Sequence, residues 1–265
     1  MRVPTRSALR SRAGRVKRGV PLRPLRILFP FALWRPLFRL WLNVIRAQPD
    51  RSKAMRELLE IHADATSGLD RGAIDYDDGV HAKHRLTRYH DFFVERIEPG
   101  ERVLDVGCHK GELAFDIAER AGATVVGIDR SPWALRQARD SFSHPRVTYV
   151  EADALTYAPA EPFDVVVLSN VLEHLAPRVS FLSGLRERVG ARRLLVRVPV
   201  LERDWTVPLR RELGLPHFSD PEHVVEYDVD LLRSELASAG WEMGEPAVAW
   251  GEIWAEAAPV AVSAG

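Results

Sequence analysis

Three aspartates, one glycine turn and two histidines are the residues of this 265-residue chain whose types and spacing could do chemistry. Asp105 lies near the end of the apolar run Arg102–Val106, with Gly107 two residues on and Gly111 four beyond that. Glycines at these positions free a tight strand-to-helix turn from side chains, and the turn then presents helix N–H groups and the positive end of a dipole to a ligand. That edge suits a nucleotide-type molecule. A dinucleotide site wants a fuller G-x-G-x-x-G pattern than is present. Asp105 narrows the choice further, because a carboxylate there repels a pyrophosphate but accepts hydrogen bonds from an ammonium group. A ligand bearing an amino-acid moiety fits better than one bearing phosphates.

The elements that must position these groups alternate along the chain. Strands are expected at 102–106, 124–129, 146–150, 163–169 and 193–199, and helices at 111–121, 132–140 and 178–189. Such alternation demands an α/β fold, a parallel sheet with helices on both faces. Ligands of such sheets bind beyond the carboxyl ends of the strands, where Asp105, Asp129, Asp153 and Asn170 all fall. Downstream, Asp228–Ala239 reads as a helix with Asp228 as its N-cap and Gly240 as its stop, and Trp241–Val248 and Gly251–Ala257 alternate as two further strands. Upstream, Asp50–Ala65 has helical spacing and then gives way to TSGLDRGAIDYDDG, a loop by its Gly and Asp content. His84–Ile97 reads as one amphipathic helix with Leu86, Tyr89, Phe92, Phe93 and Ile97 inward, ended by Pro99-Gly100.

DVGCHKG, Asp105–Gly111, resembles the first motif of the class I S-adenosylmethionine (SAM) methyltransferases, and three later stretches agree with it in order. They are GID ending at Asp129, EADAL with Asp153, and FDVVVLSNVLEHL from Phe163 to Leu175. The resemblance spans roughly residues 80–256. It implies a doubly wound, mostly parallel seven-stranded sheet whose last strand is inserted antiparallel, with SAM as cofactor. It also implies a cofactor site of Asp105, Gly107, Cys108, Gly111, Asp129, Arg130, Asp153, Ala154 and Asn170, with Asp129 on the ribose hydroxyls and Asp153 near the adenine. In the resembling family the helix near residues 84–97 covers the cofactor cleft, which would put Asp77, Asp78, His81, Lys83, His84 and Arg85 on its rim. One departure is His109, which stands where the family commonly has a second glycine.

Methyl transfer to a hydroxyl gains from a general base, and the sequence offers two. His174 follows Glu173 at the mouth of the fourth strand, and reads as a base or, at least as readily, as a residue that caps its loop or stacks under the cofactor. His223 lies in the 29-residue connection Pro199–Tyr227, long enough to be a lid, with Trp205, His217, Phe218, Asp220, Glu222 and Tyr227. Glu173, His174 and His223 together resemble the metal-binding set of some small-RNA and quinone-biosynthesis O-methyltransferases. Asn170 stands where that motif carries another Glu, so no bound metal is expected. Cys108, the single cysteine, excludes an intrachain disulfide and reads as packing within the turn, and no CxxC or HExxH zinc pattern occurs.

A net charge of zero conceals a split. Residues 1–48 carry 12 basic and no acidic side chains, leaving 25 basic and 37 acidic residues, a net of −12, in the remainder. Three segments follow: a basic arm at 1–48, a helical cover at 49–98 and the methyltransferase domain at 99–265. Residues 1–26 have the composition of a disordered tail, or of an over-extended start with Met55 as the alternative. Ile27–Ile45 is apolar and nineteen residues long, but Arg35, Arg39, Pro30 and Pro36 disfavour spanning a bilayer. On a helical projection Arg35, Arg39, Asn43 and Arg46 share one face, opposite Trp34, Leu37, Phe38, Trp41, Val44 and Ile45. That pattern suits a helix lying in the headgroup plane of an anionic membrane, through residues 27–46, or an arm docked on protein.

The similarity of DDGVHAKHR, VLEHL and DPEHVVEYD to methyltransferases of bacterial cell-surface polysaccharide and natural-product pathways implies O-methylation of a small-molecule, glycan or natural-product acceptor. A membrane-associated lipid or quinone methyltransferase is the alternative, and a non-catalytic SAM-binding scaffold or regulator is another. Nucleic acid is disfavoured as acceptor, because the body is acidic and carries no RNA-binding module. The expected location is the cytoplasm, peripheral at the inner face of the membrane where the arm docks.

Overall fold

Apolar runs with a two-residue alternation fill both faces of one sheet in the computed structural model of the protein, which describes residues 30–77 and 81–260. The arm up to residue 29, Asp78 and the last five residues lie outside the described residues, and so do the expectations placed on them. Five strands run parallel: β1 (Arg102–Val106), β2 (Thr124–Asp129), β3 (Val147–Glu151), β4 (Val165–Ser169) and β5 (Arg193–Pro199). Three more are antiparallel: β6 (Trp241–Met243), β7 (Ala247–Ala249) and β8 (Glu252–Pro259). The order is β3-β2-β1-β4-β5-β8-β6, with β7 beside β8. The chain reverses its direction of winding between β1 and β4, which makes the switch point that binds ligands in such sheets.

The sheet thus has eight strands where seven were expected. Gly244, Glu245 and Pro246 interrupt the run Trp241–Val248, and a proline cannot donate to a ladder, so one edge strand becomes β6 and β7. Val103, Val125, Val165, Val167 and Leu195 face one side with Phe93, Ile117 and Trp254, while Leu104, Val166, Leu168 and Val196 face the other with Phe181, Leu236 and Trp241.

The helices among the described residues are, in chain order, α1 (Phe31–Arg46), α2 (Arg51–Tyr76), α3 (Lys83–Thr87), α4 (His90–Val94), α5 (Glu112–Asp116), α6 (Pro132–Ser141), α7 (Arg178–Glu187), α8 (Thr206–Glu212) and α9 (Val229–Ser238). α5 runs on into a π turn, Ile117–Ala121. Caps act as expected in α9, where the Asp228 carboxylate accepts from Leu231 N–H at 2.7 Å and Gly240 follows at φ +81°. Two upstream expectations fail. α2 continues to Tyr76, because nothing stronger than Gly68 and Gly72 interrupts it, and a glycine costs a helix only about 1 kcal/mol. The single helix expected at 84–97 is instead α3 and α4, broken where Arg88 takes φ +50°.

The chain forms two compact units. One holds the described residues up to Lys83 together with Pro208–His217, and the other holds His84–Val207 and the chain from Phe218 onward. In the first, Ile45 of α1 is buried as that helix packs on α2, Gln48 donates to Glu57 at 2.7 Å, and the Arg210 guanidinium donates to the Leu59 carbonyl. Part of the expected lid therefore belongs with the N-terminal helices. Tyr227, also placed in the lid, is fully buried and donates to Glu235, which Arg178 grips through two guanidinium nitrogens. It is a core residue.

Candidate active site

The turn after β1 is built by packing as much as by any ligand. Gly107 and Gly111 hold φ +68° and +84°. A Cβ on Gly111 would collide with the Tyr149 hydroxyl, which donates to the Phe142 carbonyl at 2.9 Å and lies 3.2 Å from the Gly111 carbonyl. Gly111 is thus required by a tyrosine reaching across from β3. Cys108 is buried with its sulfur against Gly127, and burial raises its thiol far above the ordinary range. It is packing, as the sequence implied. His109 adopts φ +46°, so the position is left-handed, as a glycine there would allow, while its side chain is exposed.

Asp105 and Asp129 come together at this edge. The Asp105 carboxylate is buried, and its Oδ2 has no hydrogen-bond partner. Burial first, and the Asp129 charge second, push its pKa up to about 7. Asp129 is held by His109 N–H at 2.9 Å and Ser131 N–H at 2.7 Å, one on each oxygen, which leaves an acceptor lone pair free on both. An orphaned buried carboxylate beside a braced one matches a ligand that brings an ammonium and vicinal hydroxyls. The residues fit the amino-acid and ribose parts of SAM. Asp153 is exposed and caps its own turn by accepting from Leu155 N–H at 2.9 Å, with Ala154 half-buried beside it, and Arg130 is exposed.

At the end of β4 Asn170 holds φ +56°, a conformation asparagine tolerates, and its amide points to Glu252 at 3.4 Å. Glu173, His174 and His223 follow as a cluster in which one ligand atom from each lies within 4.8 Å of the others. The two imidazoles meet edge to face, 4.7 Å between centroids. Both Glu173 oxygens are buried without a partner, and burial raises its pKa to about 7, opposed by the nearby Asn170 amide. His223 Nδ1 lies 3.1 Å from Glu226 Oε1. Glu226 is buried, and hydrogen bonds from Ser219 and the charge of Arg203 hold it ionised below the usual carboxylate range despite that burial. A carboxylate acceptor puts the proton on Nδ1 and leaves Nε2 with a free lone pair, the arrangement of a base oriented by an acid. A set of two imidazoles and one carboxylate could also hold a divalent cation.

Sequence reasoning missed Glu226, Arg197 and Glu252, and took Tyr89 only as core. Arg197 interrupts the apolar stretch Leu194–Val198 inside β5, the one signal that could have found it. It donates to Glu252 at 2.7 Å and to Ser169 at 3.3 Å, lies 4.3 Å from the Tyr89 ring centroid, and keeps a buried Nε with no partner.

A parallel sheet finished by an antiparallel strand, with a buried acid behind a glycine turn, is the architecture of a Rossmann-like protein that binds a nucleoside cofactor. Residues 103–189 match the family described as "Methyltransferase domain". The chain carries, at those residues, a methyltransferase domain. It is 40% identical over 114 residues to the ribosomal protein L11 methyltransferase of Burkholderia ambifaria, covering 41% of this chain and 36% of that protein. It is 43% identical over 102 residues to the ubiquinone biosynthesis O-methyltransferase of Hahella chejuensis, covering 36% and 41%. The chain thus spans well under half the length of these relatives. In fold it is similar to magnesium protoporphyrin IX methyltransferase from Synechocystis, solved with bound S-adenosylhomocysteine (SAH), with TM-score 0.56, 21% identity, and coverage of 73% of this chain and 94% of that one.

Proposed function

We propose that this protein is a SAM-dependent methyltransferase that methylates a hydroxyl of a small-molecule, glycan or natural-product acceptor. The observation that carries the reading is the His223–Glu226 pair at the same sheet edge as the orphaned Asp105 carboxylate. When bound, SAM supplies a methyl group made electrophilic by its sulfonium. Asp105 holds the ammonium group, Asp129 holds the ribose hydroxyls, and the walls at the strand ends exclude water. His223 takes the acceptor proton at Nε2 as the new O–C bond forms and the S–C bond breaks, and Glu226 stabilises the imidazolium that results. Positioning of this kind can lower a barrier by roughly 7–11 kcal/mol, so it outweighs the base. Among the relatives, one name specifies O-methylation and another a protein acceptor, and the oriented imidazole favours the former because a hydroxyl needs its proton removed.

Calorimetry with SAM and SAH is the test. Micromolar binding of both, with turnover on a hydroxyl acceptor, is the expected result. A protein that binds both without turnover on any acceptor fraction is a scaffold, and one that binds neither ends the proposal.

A second reading concerns location. Leu33, Leu37, Leu40, Trp41 and Val44 of α1 fall on one arc and are exposed, Leu37 by 67%, whereas Arg35, Arg39 and Arg46 share the opposite arc. No helix among the described residues is long and apolar enough to cross a membrane. An apolar arc on an arm with 12 cations and no anion suits an anionic lipid surface better than a second copy of itself, whose arm would bring like charge.

A further inference from the structure

A second constellation at the same carboxyl edge plays no part in the transfer chemistry described above. Tyr89, Phe92 and Trp254 wall a cleft of about 260 Å³, rimmed by Arg88, Asp91 and Trp250. Phe92 and Trp254 lie 5.3 Å apart between ring centroids, and the Arg197 guanidinium sits over both Tyr89 and Trp254, at 4.3 Å and 5.1 Å. Charges around the cleft are taken up by one another. Arg88 pairs with Asp91 at 2.6 Å, Asp91 also meets Arg120, and Arg197 pairs with Glu252 at 2.7 Å. What the cleft offers a ligand is aromatic surface.

Backbone strain marks the same place. Among the described residues, four that are not glycine hold positive φ: Arg88, His109, Asn170 and Trp250. His109 and Asn170 border the cofactor turn and the base cluster. Arg88 and Trp250 border the cleft. A left-handed conformation is unfavourable for a bulky side chain, and strain of this kind gathers at ligand sites. Trp250 is also 74% exposed, so burial does not offset its conformation. Its turn is fixed to the sheet edge by Val200 N–H, which donates to the Gly251 carbonyl at 2.9 Å. Arg197 links the cleft to the base cluster, since the guanidinium over Tyr89 and Trp254 donates to Glu252, to which the Asn170 amide also points.

We propose that this cleft receives the methyl acceptor and selects a planar, uncharged aromatic ring, stacked on Trp250 and walled by Tyr89, Phe92 and Trp254. The inference rests on the methyltransferase reading and adds the acceptor's chemical class to it. Rings stack offset or edge on at 4.5–7 Å, and a saturated ring of the same size gains only area burial from such walls.

Calorimetry on the full chain saturated with SAH tests it, with catechol and trans-1,2-cyclohexanediol as probes. Catechol should bind and the diol should not. Trp250→Ala should weaken catechol by about tenfold, Trp250→Phe should hold it within about threefold, and SAH affinity should stay within about twofold in both variants. Equal binding of the two probes, no catechol binding by the SAH-bound wild type, or unchanged catechol affinity in Trp250→Ala overturns the inference. Failure of the wild type to bind SAH overturns the methyltransferase reading instead.

Discussion

Replacing Asp105 by Asn should make the ligand-free protein more stable in alkali and its cofactor site weaker. The Asp105 and Glu173 carboxyls both sit near pKa 7 in the fold, pushed up mainly by burial, and would titrate near 4 in the unfolded chain. The native state therefore holds its protons more tightly than the unfolded state. Stability is greatest below pH 4 and falls as pH rises through 7. Between pH 6 and pH 8 each group removes about 1.4 kcal/mol, so the pair removes roughly 2.7 kcal/mol. Asp105→Asn keeps the shape and abolishes one titration, so its loss over the same interval should be about half. The cofactor's ammonium favours ionised Asp105, so SAH binding by the wild type should tighten by up to about tenfold from pH 6 to 8. The variant should bind SAH roughly 10–100-fold more weakly, the worth of a hydrogen bond to a charged group. Urea unfolding of the ligand-free protein at the two pH values, with calorimetry in parallel, measures all of this. A wild type equally stable at pH 6 and 8, or a variant with the same pH slope as the wild type, would refute the reasoning.

Other outcomes follow from the base cluster and the arm. His223→Ala should lower kcat by roughly 10²–10³-fold, within the range of general-base catalysis, and Glu226→Gln by about tenfold, with SAH affinity unchanged in both. An unaffected kcat in His223→Ala would assign the proton to another group. Treatment with EDTA should leave turnover within about twofold, because Asn170 offers an amide where a further carboxylate would be needed to complete a hard-cation site. Loss of activity restored by Mg²⁺ would instead make Glu173, His174 and His223 metal ligands. The full chain should sediment with vesicles containing phosphatidylglycerol, and Leu37→Glu with Trp41→Glu should reduce that recovery by more than about tenfold. Equal recovery of wild type and double variant would remove the lipid reading of α1.

The parallel core was legible because burial on both faces writes itself as unbroken apolar runs, such as Val165–Leu168 and Leu194–Val196. Asp228 and Gly240 were legible for a different reason, since each meets a local backbone need that few residue types can meet. Arg88 carries no such mark: nothing in its identity announces φ +50°, so the break between α3 and α4 was invisible. α2 was cut short by treating two glycines as a stop when their cost lies within what a long helix absorbs. At the candidate site, Asp105, Asp129 and the Glu173-His174 pair could be found from their place at strand ends. Glu226 could not, because its meaning depends on a tertiary contact with His223 made inside an irregular segment. Tyr89 reads as a core aromatic by spacing, and only the guanidinium stacked on it from β5 distinguishes it.

The Tyr149 hydroxyl lodged against Gly111 ties the outline of the cofactor turn to a residue 38 positions away. Mutational freedom at the two sites is therefore joint. A shorter side chain at 149 would open the room that a methyl at 111 requires, yet would also release the loop from the neighbouring strand. Variation in descendants of this sequence should accordingly reach position 149 before position 111, and a library that randomises the turn alone would sample mostly misfolded members.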